Sequence, residues 1–191
     1  MSFLTTGDLQ GWASKDGAAD NLPEWVGRLV DNGLLLASEK RFLHGAASNL
    51  PGVDGYIRGA QVRAGLDQFI PPGDSVWEFS VATSSKSKIV GDAKKRVLAG
   101  LPGFIAEQTT VVFVTPRGIK EPEKLKASIK KAANWKDVCV IDGTRLCDWL
   151  GRCPAVALER AGSFHGVATS GLKTLSQAWE EDAGIVSHFV V

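Results

Sequence analysis

The feature that most restricts the fold is TTVVFVT at 109–115, a run without charge that Pro116 closes. A strand with one solvated face alternates apolar and polar residues, so a continuous β-branched run reads as a strand covered on both faces. Such a strand lies inside a sheet that carries helices above and below. The rest of the chain must supply that cover. Leu22, Trp25, Val26, Leu29 and Val30 follow helical spacing, with Pro23 expected in the first turn and Gly33 as the stop. On the polar side of this helix Glu24 and Arg28 stand at i, i+4, the spacing of a surface ion pair.

Three strands are expected next, over 38–44, 53–62 and 75–82, punctuated by Pro51-Gly52 and Pro71-Pro72-Gly73. A helix runs from after Ser84 to Ala99, and a lysine-rich one from Pro122 to Ala133. Between and after them come the 109–115 strand, a short strand over Val138–Ile141 and a short helix over Thr144–Leu150. Two further helices are expected over 154–161 and 171–182. The order predicts an α/β domain over 1–182. Its mixed central sheet is antiparallel at the start and parallel later, is flanked by helices, and carries extra C-terminal helices. Residues 183–191 form an apolar tail, expected to lead into a partner or a larger protein.

Composition excludes more than it selects. A formal net charge of +1 on 191 residues leaves no global basic field, so any contact with nucleic acid has to come from a local patch. Cys139, Cys147 and Cys153 form no CxxC pair and have no histidine at ligand spacing, which reads as packing thiols of a reduced, cytoplasmic protein. No apolar run reaches the roughly 20 residues of a membrane span. Trp77, Trp135 and Trp149 have apolar neighbours and are expected in the core.

Chemistry concentrates in two strands and the helix after them. Asp54 opens one strand in PGVDG, and Glu78 lies between Trp77 and Phe79 in the next. Paired neighbouring strands set two such acids face to face across the ladder. Adjacent carboxylates repel and need a cation or a raised pKa, and a hard divalent metal is one solution. Strand acids outside a sheet are also simply solvated. Lys86, Lys88, Lys94 and Lys95 follow, either as a solvated helix face or as charge beside the acids. Asp92 stands at i, i+4 spacing from both Lys88 and Arg96.

The αβββαβ order, with an acid opening the second strand and another in the third, resembles the PD-(D/E)XK endonuclease-like superfamily. The likeness narrows to a bacterial family of nuclease-like domains at the N-terminus of multidomain defence proteins, ahead of signalling NTPases. It is carried by DLQGWASKDGAADNLPEWVGRLV, PGVDG, PPGDSVWE, the spacing to AKKR, TTVVFVTPR, ANWKDVCVIDGTRLCDWL and PAVAL, which run from Asp8 to Leu158, and the likeness extends over residues 4 to about 181. The resemblance implies a restriction-endonuclease-like fold and a Mg²⁺- or Mn²⁺-dependent endonuclease that hydrolyses DNA, double-stranded by preference, as an antiphage effector. It implies homo-oligomers or a fused sensor region as partners. Asp54, Glu78 and the Phe79 carbonyl become metal ligands, and Glu24 matches the acid on the first helix that some members use to position water. The superfamily's catalytic lysine stands two residues after the strand acid, where this chain has Ser80. In the narrower family a lysine recurs at the position of Lys88, so Lys88 is expected to supply the missing charge. Lys86, Lys94, Lys95, Arg96 and Arg117 are expected to contact phosphates. The alternative reading is a catalytically inactive relative that binds nucleic acid or organises an assembly.

Overall fold

The fifth strand, β5 (Thr109–Val114), is buried along its whole length, as its uncharged, largely β-branched sequence predicts. A computed structural model describes residues 4–43 and 52–165; the helix expected over 171–182 and the apolar tail lie outside them. The helices are α1 (Thr6–Trp12), α2 (Ala18–Gly33), α3 (Ser85–Ala99), α4 (Pro122–Ala132), α5 (Gly143–Arg152) and α6 (Pro154–His165). The remaining strands are β1 (Leu34–Leu36), β2 (Glu39–Phe42), β3 (Gly55–Val62), β4 (Gly73–Phe79) and β6 (Asp137–Ile141).

These strands form one mixed six-stranded sheet in the order β1-β3-β4-β5-β6, with β2 also paired to β3. The β1, β2 and β4 pairings with β3 are antiparallel, whereas β4-β5 and β5-β6 are parallel and joined through α3 and α4. Four strands therefore precede α3 where three were expected, and the sheet is mixed, has helices on both faces, and is followed by α5 and α6.

Alternation along the strands divides the core into two layers. Trp77, Val112, Val114, Cys139 and Ile141 point to the layer shared with α1, α2, α5 and α6. Val76, Val111, Phe113, Val138 and Val140 point to the layer shared with α3 and α4. The three tryptophans expected in the core are there: Trp77 and Trp149 are fully buried and Trp135 nearly so. Burial of side chains of this size stabilises the fold by roughly 1.5–3 kcal/mol each.

Two local differences from the sequence reading have physical causes. Pro23 falls in the second turn of α2, because the helix begins upstream at Ala18, whose methyl shares the buried face with Leu22. The missing proline N–H therefore costs α2 one internal bond. A short helix, α1, precedes it. Thr5 caps α1 through a hydrogen bond from the Asp8 N–H, while the Asp8 carboxylate accepts from the Thr5 N–H at 2.8 Å. That Thr-x-x-Asp capping box was visible in the sequence.

Candidate active site

Asp54 and Glu78 meet because β3 and β4 run in opposite directions. Gly55 pairs with Trp77 and Tyr56 with Val76, so the register continued by one position sets Asp54 opposite Glu78. Glu78 is two residues after Val76 and Asp54 two before Tyr56, both of which pack on the α3–α4 side. Side chains two apart on a strand share a face, so both acids project toward α3. The backbone N–H of Phe79 donates to Asp54 Oδ2 at 2.8 Å, which ties the opening of β3 to the end of β4.

α3 completes the constellation. Its buried stripe of Ser85, Ile89 and Ala93 packs on the sheet. Beside that stripe Lys88, Asp92 and Arg96 recur every four residues, forming one row along the helix. Lys88 Nζ donates to Asp92 Oδ1 at 2.6 Å, with the two side chains 49% and 16% exposed. Arg96 Nε donates to Glu78 Oε1, and the side chains of this pair are only 5% and 8% exposed. Arg96 Nη2 also donates to the Gly52 carbonyl, in the turn that leads into Asp54.

The electrostatics follow from three acids sharing a partly buried site with two cations. Burial is the main reason that the Glu78 carboxyl is pushed up to about 7. Arg96 opposes this shift, while Asp54 and Asp92 add to it. An ion pair ordinarily lowers a carboxyl pKa, but here desolvation outweighs the guanidinium. Asp54 is raised as well, again chiefly by burial; the Phe79 N–H, Arg96 and Lys88 pull it down and Asp92 pushes it up. Lys88 thus acts electrostatically on Asp54 although its hydrogen bond goes to Asp92.

The expected site residues separate into groups. Asp54, Glu78 and Lys88 come together, and Asp92 joins them, which the sequence reading left outside the site. The spacing of 88, 92 and 96 was the signal for it. Glu24 pairs with Arg28 at 3.2 Å on the exposed side of α2, and Arg28 also bonds Glu159. Lys86, Lys94 and Lys95 are exposed on α3. The arginines expected at phosphates are engaged elsewhere. Arg96 is buried, with donors taken by Glu78 and Gly52. Arg117 donates to the Val81 carbonyl at 2.8 Å, to the Ala13 carbonyl at 3.3 Å and to Ser14 Oγ at 3.1 Å. It fastens the loop after β5 to two other segments.

Among the described residues no three His, Cys, Asp or Glu side chains converge as a formed metal site. The donor chemistry nevertheless fits a hard divalent cation. Asp54 gives one oxygen to the Phe79 N–H and Glu78 gives one to Arg96. Among the described residues Asp54 Oδ1 and Glu78 Oε2 accept no hydrogen bond, and neither is fully enclosed. Each acid therefore keeps one oxygen for a cation, in a site with more acids than bases.

No protein-family model matches the chain, and no curated protein matches it. Among solved structures it is similar to the restriction endonuclease FokI bound to DNA, with a TM-score of 0.44 at 11% identity. That similarity covers 84% of this chain and 29% of the other, so the chain spans under a third of FokI's length.

Proposed function

We propose that this chain is a metal-dependent nuclease domain that hydrolyses DNA phosphodiesters at Asp54 and Glu78. The observation that supports this best is the pairing of two proton-avid carboxylates across β3 and β4, each with one oxygen uncommitted. Mg²⁺ or Mn²⁺ bound there would activate water and neutralise charge on the scissile phosphate. Asp54 and Glu78 would hold the ion, with the Phe79 carbonyl as a third oxygen donor. The Phe79 N–H keeps Asp54 oriented. Lys88, half-exposed on the flank of α3, stabilises negative charge developing on the phosphate in place of the lysine that Ser80 replaces. Lys86, Lys94 and Lys95 contact the backbone phosphates of double-stranded DNA without reading its sequence. The narrower resemblance supports an effector role in cytoplasmic antiphage defence, in which self-association or a fused sensor brings two weak domains onto one duplex.

The test is supercoiled-plasmid cleavage with Mg²⁺, Mn²⁺ or EDTA, by the isolated chain and by a fusion to an inducible dimeriser. Cleavage is expected to need the metal, to rise on dimerisation, and to vanish in Asp54→Asn and Glu78→Gln while both variants stay folded. Variants that cut as well as the parent overturn the assignment. A second reading rests on Ser80 and on the Arg96 contact to Glu78: an inactive relative that binds nucleic acid or organises an assembly. Metal-independent DNA binding with no cleavage in any arm selects it.

A further inference from the structure

Among the described residues Arg96 is the one charged group hydrogen-bonded to both halves of the candidate site, and it bonds them from inside. Its side chain is 5% exposed, so it cannot act as the surface phosphate contact that its place among lysines suggests. Nε holds Glu78 on β4, and Nη2 holds the carbonyl of Gly52, two residues before Asp54. The planar guanidinium presents its donors in a fixed fork, so the two bonds together fix a distance that a flexible ammonium does not. Asp54 is held a second time by the Phe79 N–H, the residue next to Glu78. Glu78, Arg96, Gly52, Asp54 and Phe79 thus close a loop of contacts whose fork is the guanidinium. Arg96 is itself carried by a packed helix, four residues from Asp92 and eight from Lys88.

We propose that Arg96 is a positioning residue that sets the separation of the Asp54 and Glu78 carboxylates and so tunes the cation they accept. Its role rests on the function proposed above only for its consequence in catalysis; the clip itself is a property of the protein without metal. Lysine at this position keeps the charge and loses the fork, which separates geometry from electrostatics.

The experiment compares the parent, Arg96→Lys and Arg96→Gln in three measurements: Mn²⁺ binding followed by electron paramagnetic resonance, amide exchange at Phe79, and the dependence of cleavage on DNA concentration. In Arg96→Lys the Phe79 amide is expected to exchange faster, as Asp54 loses its fixed position. Mn²⁺ affinity and turnover are expected to fall by about 10–100-fold, the range for residues that orient metal ligands. KM for DNA is expected to stay that of the parent. Full rescue by lysine of both the Mn²⁺ affinity and the Phe79 protection overturns the proposal, because charge alone then suffices. A raised KM with a shallower salt dependence overturns it in favour of phosphate contact. Should the variants prove unstable, the Arg96 Nε–H of the parent decides: slow exchange supports the clip, and exchange as fast as that of a free guanidinium refutes it. If the parent cleaves nothing, the nuclease reading fails while the exchange and Mn²⁺ measurements still judge the clip.

Discussion

Replacing Glu78 by glutamine should change how stability depends on pH, and the sign follows from burial. The folded protein keeps a proton on Glu78 up to about 7, against an ordinary value of 4.5. Between those values the folded state binds more protons than the unfolded state, so stability falls as pH rises. The penalty is absent below the unfolded value and complete above the folded one. The gap between 4.5 and about 7 corresponds to about 3 kcal/mol. Glutamine cannot ionise, resembles the protonated acid, and still offers an oxygen to Arg96 Nε–H. The guanidinium is therefore not orphaned, which would itself cost about 3–5 kcal/mol.

Parent and variant should accordingly be equally stable at about pH 3, below the unfolded value, and the variant should lead by about 3 kcal/mol at about pH 9. For a domain of this size that lead is roughly 6–12 °C in melting temperature. Urea unfolding followed by circular dichroism in EDTA, from acid to alkaline pH, measures it. A difference that stays flat, or a parent that gains on the variant as pH rises, refutes the reasoning. Either result would mean that Arg96 outweighs desolvation and keeps Glu78 ionised.

Other perturbations separate the remaining roles. At about 10 mM Mg²⁺ and a Kd of about 1 mM, the parent should gain about 1.4 kcal/mol of stability, and Asp54→Asn should gain almost none in the same unfolding assay. Lys88→Met should reduce turnover strongly in single-turnover cleavage, whereas Lys86→Met and Lys94→Met should weaken DNA binding and lower the salt slope by about 0.9 per lost phosphate contact. Equal, small losses at all three would return the lysines to a solvated face. Arg117→Ala should destabilise the fold by about 2–3 kcal/mol, since hydrogen bonds from a charged donor are lost at Val81 and Ala13. DNA affinity at low temperature, read by fluorescence anisotropy, should stay that of the parent.

The sheet was legible where one force dominated. Thr109–Val114 carries no charged side chain on either face, and its burial follows from that. The helix over Ser85–Ala99 and the antiparallel-then-parallel order were equally readable from punctuation and periodicity. The opening helix was missed because seven residues carry little periodicity, and only its capping box announced it. β1 was missed because α2 passes into it at Leu34 with no turn between. At the site, the meeting of Asp54 with Glu78 follows from strand register, which local sequence specifies well. The directions of Arg96 and Arg117 do not, because a long cationic side chain reaches solvent or a buried acceptor according to what other segments bring near it. Gly52 and Glu78 for Arg96, and Val81 and Ala13 for Arg117, are contacts that sequence spacing does not contain.

That difference bears on the meaning of Ser80. A lysine two residues after Glu78 would leave from the strand, on the same face as the acid it follows. Ser80 instead accepts a hydrogen bond from the Ala82 N–H at 3.2 Å and shapes the turn into α3. The cations beside the acids come from the helix, where a four-residue repeat lays Lys88, Asp92 and Arg96 in one row beside both acids. A row on a helix can supply two cations with different jobs, which a single strand lysine cannot. Arg96 at the buried end holds Glu78, while Lys88 at the exposed end stays within electrostatic reach of Asp54 and open to solvent. Asp92 between them keeps Lys88 on the flank that faces the acids. If the proposed nuclease function holds, this row divides positioning, at Arg96, from transition-state stabilisation, at Lys88, and it ties the second to how α3 packs on the sheet.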